Sequence, residues 1–119
     1  MIKIGKNISE FSVYSCQPKT KDELKKIIED RISKEGPNCD LNDIDVSLIM
    51  DMSWLFYYSK FNGDISKWNV SSVENTAYMF FRSRFNRDIS NWKIRKDCVV
   101  LDMFRYCPIK EEYKPKLPK

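Results

Sequence analysis

The chain has 119 residues, of which 42% are hydrophobic and 13% aromatic, so it can bury the core of one domain and differs from disordered sequences. Its net charge is +4, and it contains no run of 18 apolar residues that could span a membrane as a helix. Histidine is absent and glycine occurs only three times, which removes the usual general base and any glycine-rich phosphate loop. We therefore expect no enzymatic activity, no cofactor and no membrane partner.

Residues 1–19 alternate weakly between polar and apolar side chains, with Ile2 and Ile4 and then Phe11 and Val13. This alternation predicts one or two short strands. The N-terminus lacks the apolar segment of a secretory signal. We expect a cytoplasmic protein, with the alternative that a secretory or lipoprotein leader has been removed.

A helix is predicted to follow Pro18. Thr20 and Glu23 have the spacing of a capping box, and Gly36-Pro37 is a typical stop signal. The apolar residues that would share one face of this helix are Leu24, Ile27, Ile28 and Ile32. We expect the helix to complete an N-terminal unit, residues 1–36, and to cover the first of the repeats that follow.

Residues 37–109 contain one sequence pattern three times, at a spacing of 24 positions. FNGDISKWNV at position 61 returns as FNRDISNWKI at position 85, and a weaker copy, PNCDLNDIDV, begins at position 37. The repeats are then residues 37–60, 61–84 and 85–108. Self-similarity at a period in the twenties is typical of repeat architectures.

Each repeat shows two successive apolar patterns. The first, Leu/Ile-x-x-Ile/Trp-x-Val/Ile, is typical of the short parallel strand of a leucine-rich repeat. The second has helical spacing, which predicts a helix or a run of short helical turns, and in the middle copy Ser71 and Glu74 have capping-box spacing. In the first copy the residues at helical spacing are Ile49, Met52, Leu55 and Phe56. We predict an α/β repeat fold, a short leucine-rich-repeat-like solenoid of about three coils, each with a short parallel strand and a helix, with the N-terminal helix as a cap.

The motif Phe-Asn-x-Asp-Ile-Ser-x-Trp, followed by Val and later by Met-Phe, resembles the BspA-type leucine-rich repeats of bacterial proteins. The resemblance covers about residues 37–109. It implies a curved repeat fold that is used for protein binding, and it implies no catalytic residues. Many members of that family are large surface proteins, so this short chain departs from the pattern.

The C-terminal residues 110–119 hold two prolines and four lysines. This composition predicts an extended basic tail. We expect the N-terminal unit, the repeats and the tail to form one structural domain.

The cysteines predict free thiols rather than a metal site. They form no C-x-x-C pair, and no histidine is available to complete a zinc site. Without a secretory leader, disulfides are not expected. The four residues are Cys16, Cys39, Cys98 and Cys107.

Aspartate and asparagine recur once in every repeat. Carboxylates are preferred calcium ligands, so these columns could be read as a calcium ladder. We favour a role in turns, where such side chains accept hydrogen bonds from nearby backbone N–H groups, and we expect no metal. The two columns are Asp40, Asp64, Asp88 and Asn38, Asn62, Asn86.

Two surfaces are candidates for binding. The polar residues between core positions of the predicted strands would form a concave face that grades from acidic to basic and could orient a partner. These residues are Asp43, Asp45, Lys67, Asn69, Lys93 and Arg95. On the helical side, aromatic residues of the types enriched at binding hot spots lie outside the predicted core, unless they fold over its edge. These are Trp54, Tyr57, Tyr58, Tyr78, Phe81 and Tyr106.

The sequence predicts a non-catalytic protein–protein interaction module that binds a macromolecular partner stoichiometrically, as an adaptor or as an inhibitor of a larger complex. The first alternative is a nucleic-acid-binding accessory protein that uses a basic patch of the third repeat. That patch would comprise Lys93, Arg95 and Lys96 together with Arg82 and Arg84. The second alternative is a homo-oligomer that associates through its aromatic side or an uncovered last repeat.

Overall fold

The computed structural model describes residues 14–118. The regular secondary structure within this range consists of two helices. Helix α1 spans Lys21–Glu35, and a 3₁₀ helix spans Glu111–Tyr113. Within the described residues, parallel pairing is confined to three isolated bridges, namely Cys16 with Ile44, Asp51 with Asn75, and Asn75 with Val99. The strands predicted around Ile2, Ile4, Phe11 and Val13 lie outside the described residues.

The prediction of an α/β leucine-rich-repeat-like solenoid of about three coils is wrong. Residues 14–118 form a small compact unit, with a Cα radius of gyration of 14.6 Å, that contains one α-helix and no sheet. The pattern taken for a strand is a turn, because the Trp68 N–H donates to the Ile65 carbonyl. The capping box predicted at Ser71 and Glu74 is wrong as well, since the Glu74 N–H donates to the Met50 carbonyl of the preceding repeat.

Helix α1 confirms the prediction made from its sequence. Thr20 Oγ1 accepts a hydrogen bond from the Glu23 N–H at 3.2 Å. Gly36 ends the helix at a φ of 95°, and its N–H donates to the Ile32 carbonyl. Such a φ is readily adopted only by glycine. The face that holds Leu24 and Ile28 is buried in the same core as the side chains of the repeats.

Positions 24 residues apart contact one another in the core. The rings of Trp68 and Trp92 stack at a centroid distance of 6.3 Å, and each indole N–H donates to a backbone carbonyl of the preceding repeat. Phe80 lies between Phe56 and Phe104, at centroid distances of 5.3 and 5.4 Å. The sequence repeat is thus also a repeat of packing contacts.

Tight turns occupy the segments that were predicted to be helices. In each repeat the backbone closes turns between residues i and i+3, as from Leu55 N to Met52 O and from Ser59 N to Phe56 O. The third residue of each of these two turns has a positive φ, although it is never glycine. Left-handed backbone is uncommon for residues with a Cβ and costs about 1–2 kcal/mol. The six residues are Trp54, Tyr58, Tyr78, Arg82, Asp102 and Tyr106.

A ladder of backbone hydrogen bonds joins the turn segments of neighbouring repeats. Alternate N–H groups of one repeat donate to carbonyls of the next, as from Met52 to Asn75 and from Phe80 to Met103. Helices would have used these N–H groups internally. The ladder and the helices are therefore mutually exclusive.

The C-terminal segment lies against the third repeat, where we had predicted an extended tail. Glu111–Tyr113 form the 3₁₀ helix, and the Tyr113 carbonyl accepts a hydrogen bond from the Ile89 N–H at 3.0 Å. Pro115 is buried, and Leu117 packs against the core. Among residues 14–118, no helix has the length and apolar content needed to cross a lipid bilayer.

Candidate protein-binding surface

Six aromatic side chains form one surface cluster, here called the outer aromatic cluster. Four of them are at least two-fifths exposed, which is unusual for such large rings. Tyr78 and Phe81 are half-buried beneath them. The members are Trp54, Tyr57, Tyr58, Tyr78, Phe81 and Tyr106, the set predicted from the sequence.

The rings of the outer aromatic cluster hold one another in place. Trp54 and Tyr78 stack at a centroid distance of 4.3 Å and an interplanar angle of 11°, and Tyr57 stacks on Phe81 at 5.9 Å. Tyr57 and Tyr58 meet edge to face at 4.5 Å. Aromatic pairs of this kind contribute beyond the area they bury, so they help to hold the exposed rings in these positions.

The left-handed turns explain why these rings point outward. Trp54, Tyr58 and Tyr106 sit at the positive-φ positions of their turns, while the buried Phe56 and Phe80 open the turns between them. Apolar side chains consequently leave both sides of the backbone. One side fills the core, and the other forms the outer aromatic cluster.

Arg82 is the cation of this surface. Its guanidinium carbon lies 4.7 Å from the ring centroid of Tyr106 and 5.7 Å from that of Tyr58. It forms no ion pair with any residue of 14–118, whereas the neighbouring Arg105 lies 3.6 Å from Asp102. The charge of Arg82 is therefore available to a partner.

The predicted concave face is not assembled as expected, because no strands form there. Asp43 accepts hydrogen bonds from Ser15 Oγ at 2.6 Å and from Arg31 at 3.0 Å. Asp45 accepts from Gln17 Nε2 at 2.9 Å. Residues before the repeats thus engage both carboxylates at the acidic end of the predicted gradient, and Asp43 is paired with a cation, Arg31.

The basic end of that face is also partly occupied. Arg95 pairs with Asp97 at 2.9 Å and with Glu74 at 3.6 Å. The residues between the two ends, Lys67, Asn69 and Lys93, are exposed. Neither of these lysines forms an ion pair within the described chain.

The aspartate column acts in turns, as the sequence indicated, and Asn62 and Asn86 of the asparagine column accept hydrogen bonds from the following repeat or segment. Asp64 Oδ1 accepts hydrogen bonds from the backbone N–H and the hydroxyl of Ser66, and Asp88 does the same for Ser90. Asn62 Oδ1 accepts from the Asn86 N–H at 2.7 Å and so links the second and third repeats. Residues 14–118 contain no group of three potential metal ligands.

The four cysteines are free thiols in the structure. Burial raises the pKa of Cys39, Cys98 and Cys107, which keeps them protonated at neutral pH. Cys107 Sγ donates to the Phe85 carbonyl at 3.1 Å. Cys39 and Cys98 are buried in the core and contribute to its packing.

Hydrogen bonds depress the pKa of several turn aspartates. Those from the Asn42 side chain and the Ser66 backbone lower the pKa of Asp64. Burial alone would raise the pKa of Asp43, but the hydrogen bonds from Ser15 and Arg31 outweigh it and lower the pKa. The folded protein therefore favours the ionised carboxylates.

We expect the protein to lose stability as the pH falls below about 4, the pKa range of unfolded aspartate. A lowered folded pKa stabilises the fold fully above the unfolded pKa, and this contribution disappears as the pH falls through the folded value. The Asp64→Asn variant keeps an acceptor oxygen but has no carboxylate to protonate, so its free energy of unfolding should depend less steeply on pH between about 4 and 2. Urea denaturation across this range measures the slope. Glu112→Gln, which removes a carboxylate on the 3₁₀ helix, is the control, and equal slopes for the two variants would contradict the assignment.

Comparison with known proteins identifies a family but no characterised relative. Residues 23–111 match the model of a family described as "Mycoplasma protein of unknown function, DUF285". No curated protein and no solved structure matches this chain.

Proposed function

The chain belongs to the DUF285 family, and we propose that it is a non-catalytic protein-interaction module that binds a partner protein stoichiometrically, as an adaptor or an inhibitor. The observation that carries this proposal is the outer aromatic cluster, with Trp54, Tyr57, Tyr58 and Tyr106 between 41% and 60% exposed. Rigid aromatic side chains beside arginine are typical of binding hot spots. The resemblance of the repeated motif to BspA-type bacterial proteins supports the same function.

The partner that fits this surface presents apolar side chains to the rings and a carboxylate to Arg82. A guanidinium that already stacks on Tyr106 is held in position, so less side-chain entropy is lost when it pairs with a carboxylate. The four free cysteines support a cytoplasmic site of action, where thiols stay reduced.

The test compares two triple variants with the parent chain. Affinity purification from the source cells identifies the partner, and calorimetry with the purified partner then gives the dissociation constant. We expect Trp54→Ala/Tyr58→Ala/Tyr106→Ala to weaken binding by about 100-fold or more, because hot-spot residues each contribute about 2 kcal/mol or more. All three positions have positive φ, so alanine leaves the backbone strain unchanged.

The control variant is Lys67→Ala/Asn69→Ala/Lys93→Ala, which alters the exposed part of the predicted concave face. Its affinity should stay within about twofold of the parent, since such exposed charges contribute little. A large loss of affinity in this variant, with no loss in the aromatic variant, would indicate that the partner binds the concave face instead. Failure to enrich any protein would refute the interaction module itself.

Nucleic-acid binding is the second candidate, and the ion pairs of Arg95 weaken it. Two carboxylates already share Arg95, which belongs to the predicted basic patch. Nucleic-acid binding is favoured by the position of Arg82 beside exposed rings, because aromatic and arginine side chains also stack on unpaired bases. Titration with a single-stranded oligonucleotide at two salt concentrations tests this candidate. An affinity that falls steeply with salt would support it.

A further inference from the structure

The backbone ladder between repeats ends at a row of N–H groups that have no acceptor within the described part of the chain. In the first repeat the alternate N–H groups of residues 52–58 donate to the second repeat, and those of residues 76–82 donate to the third. The corresponding groups of the third repeat find no acceptor among residues 14–118. We call this row, the N–H groups of Val100, Asp102, Phe104 and Tyr106, the terminal donor edge.

One substitution in the repeat leaves a further amide unpaired. Asp51 and Asn75 each accept a hydrogen bond from the N–H two residues later, at Ser53 and Ala77. The third repeat has Val99 in that column, and valine offers no acceptor. The Leu101 N–H is therefore also without a partner within the described chain.

Apolar side chains along the terminal donor edge are exposed where their equivalents are covered. Leu101 is 57% exposed, whereas Ala77 in the same column of the second repeat is 9% exposed. Phe104 is half-buried, whereas Phe80 is fully buried between its neighbours. The C-terminal segment bonds to Ile89 and places Lys114 Nζ 5.5 Å from the ring centroid of Phe104, but it accepts no hydrogen bond from the terminal donor edge. Among residues 14–118, nothing lies beside the third repeat as the third repeat lies beside the second.

We propose that the terminal donor edge binds an extended polypeptide segment of a partner protein, which runs parallel to residues 99–106 and covers Leu101 with an apolar side chain. Four amides in a row, spaced at every second residue, require carbonyl groups with the same spacing, and a polypeptide backbone supplies them. The two internal ladders show that this backbone geometry accepts such a neighbour. The inference rests on backbone N–H groups and not on the rings of the outer aromatic cluster, although Tyr106 contributes its N–H to the edge and its ring to the cluster.

A second copy of the chain fits this edge less well. Its matching carbonyls would be those of Asp51, Ser53, Leu55 and Tyr57 in the first repeat. Lys21 Nζ, at the start of helix α1, lies 3.2 Å from the Ser53 carbonyl and 3.3 Å from Asp51 Oδ2. Helix α1 thus already occupies part of that acceptor row, so a partner's segment is the better occupant.

The probe for the test is a synthetic peptide of residues 73–84, which contains the carbonyls that the first repeat already binds. Amide hydrogen exchange, measured by NMR on the full chain, reports each position separately. In the free protein we expect exchange at Val100, Asp102 and Phe104 to be at least about tenfold faster than at Thr76, Tyr78 and Phe80, because only the latter donate to a neighbour. Saturating peptide should slow the first set by about tenfold or more, and a peptide of the same composition in scrambled order should not.

Two proline variants separate the ladder from general contact with the peptide. Val100→Pro removes one donor of the edge, and it should raise the dissociation constant of the peptide by about fivefold or more. Leu101→Pro keeps all four donors of the ladder, at a turn position that proline favours, and alters only the apolar contact at Leu101, so it should raise the dissociation constant less than Val100→Pro does. Trp54→Ala should leave peptide binding unchanged. This variant therefore distinguishes failure of the proposal for the outer aromatic cluster from failure of the proposal for the terminal donor edge.

Three results would overturn the proposal. One is slow exchange along the terminal donor edge in the free protein. Another is peptide binding that leaves this exchange unaltered or that both proline variants weaken equally. The last is slowing of the same amides without peptide, at concentrations where light scattering shows a dimer, because a second copy would then be the occupant.

Discussion

The Phe80→Ala variant should lose about 3–5 kcal/mol of its free energy of unfolding, the usual cost of removing a fully buried phenylalanine. Phe80 has no exposed surface and stacks between Phe56 and Phe104. It also lies 4.7 Å from the ring of Phe85, so the cavity would open between all three repeats. A domain of this size is stable by about 5–15 kcal/mol, and the loss is a large share of that.

Phe104→Ala is the matched control, because it removes the same side chain from the same column. Phe104 is half-buried at the end of the ring stack, with Phe80 on one face and Lys114 Nζ 5.5 Å from its centroid. The Phe104→Ala variant should lose about half as much free energy of unfolding as Phe80→Ala, since the stabilisation scales with the apolar area removed from water. Guanidinium denaturation followed by the fluorescence of the buried tryptophans gives both values. Equal losses would show that the three rings do not form a stack with a covered centre.

Helix α1 and the packing register could be predicted because their signals are local or periodic. Thr20, Glu23 and Gly36 define the ends of the helix through hydrogen bonds to the nearest turn. The stacking of Trp68 on Trp92 follows from the 24-residue repeat, since equivalent residues of neighbouring repeats occupy equivalent environments. Both signals are independent of the secondary structure inside a repeat.

The secondary structure inside the repeats could not be predicted from apolar spacing. Met52, Leu55 and Phe56 have helical spacing, but a chain of four-residue turns returns side chains to one side at nearly the same interval. Positive φ is usually signalled by glycine or asparagine, and here Trp54 and Tyr58 adopt it without such a signal. The tertiary ladder to the next repeat outweighs this local cost.

The six residues of the outer aromatic cluster were predicted from the sequence, but the reason for their exposure was not. The six residues were chosen because the predicted inward stripe did not include them, and turns produce the same division into inward and outward residues as a helix would. Arg82 was assigned to a basic patch with Arg95. The structure places it against Tyr58 and Tyr106 instead, because it shares their column. The sequence indicated an uncovered last repeat but not the terminal donor edge itself, which consists of backbone groups.

The Gly63→Ala variant should lose about 3 kcal/mol, the upper end of the range for overpacking a well-packed interior. A Cβ at Gly63 would lie 1.8 Å from the Cys39 carbonyl oxygen and 2.7 Å from Phe61 Cε1. The first contact is with backbone, which cannot turn away as a side chain does. The segment that follows helix α1 would have to move away from the second repeat.

Arg87 occupies the position of Gly63 in the third repeat and provides the control. It carries a full side chain there, with its Nε donating to the Asn62 carbonyl at 3.1 Å, so the third repeat tolerates a Cβ where the second does not. Arg87→Ala should therefore cost less than about 1 kcal/mol, the value of one exposed hydrogen bond.

A double variant tests whether the clash at Gly63 is with backbone. Cys39→Ala shortens the side chain but leaves its carbonyl in place, so the effects of Cys39→Ala and Gly63→Ala on the free energy of unfolding should add within about 0.5 kcal/mol. Urea denaturation of the two single variants and the double variant gives the coupling. A double variant markedly more stable than the sum would assign the contact to the Cys39 thiol. A fully stable Gly63→Ala protein would mean that the first two repeats do not approach each other this closely.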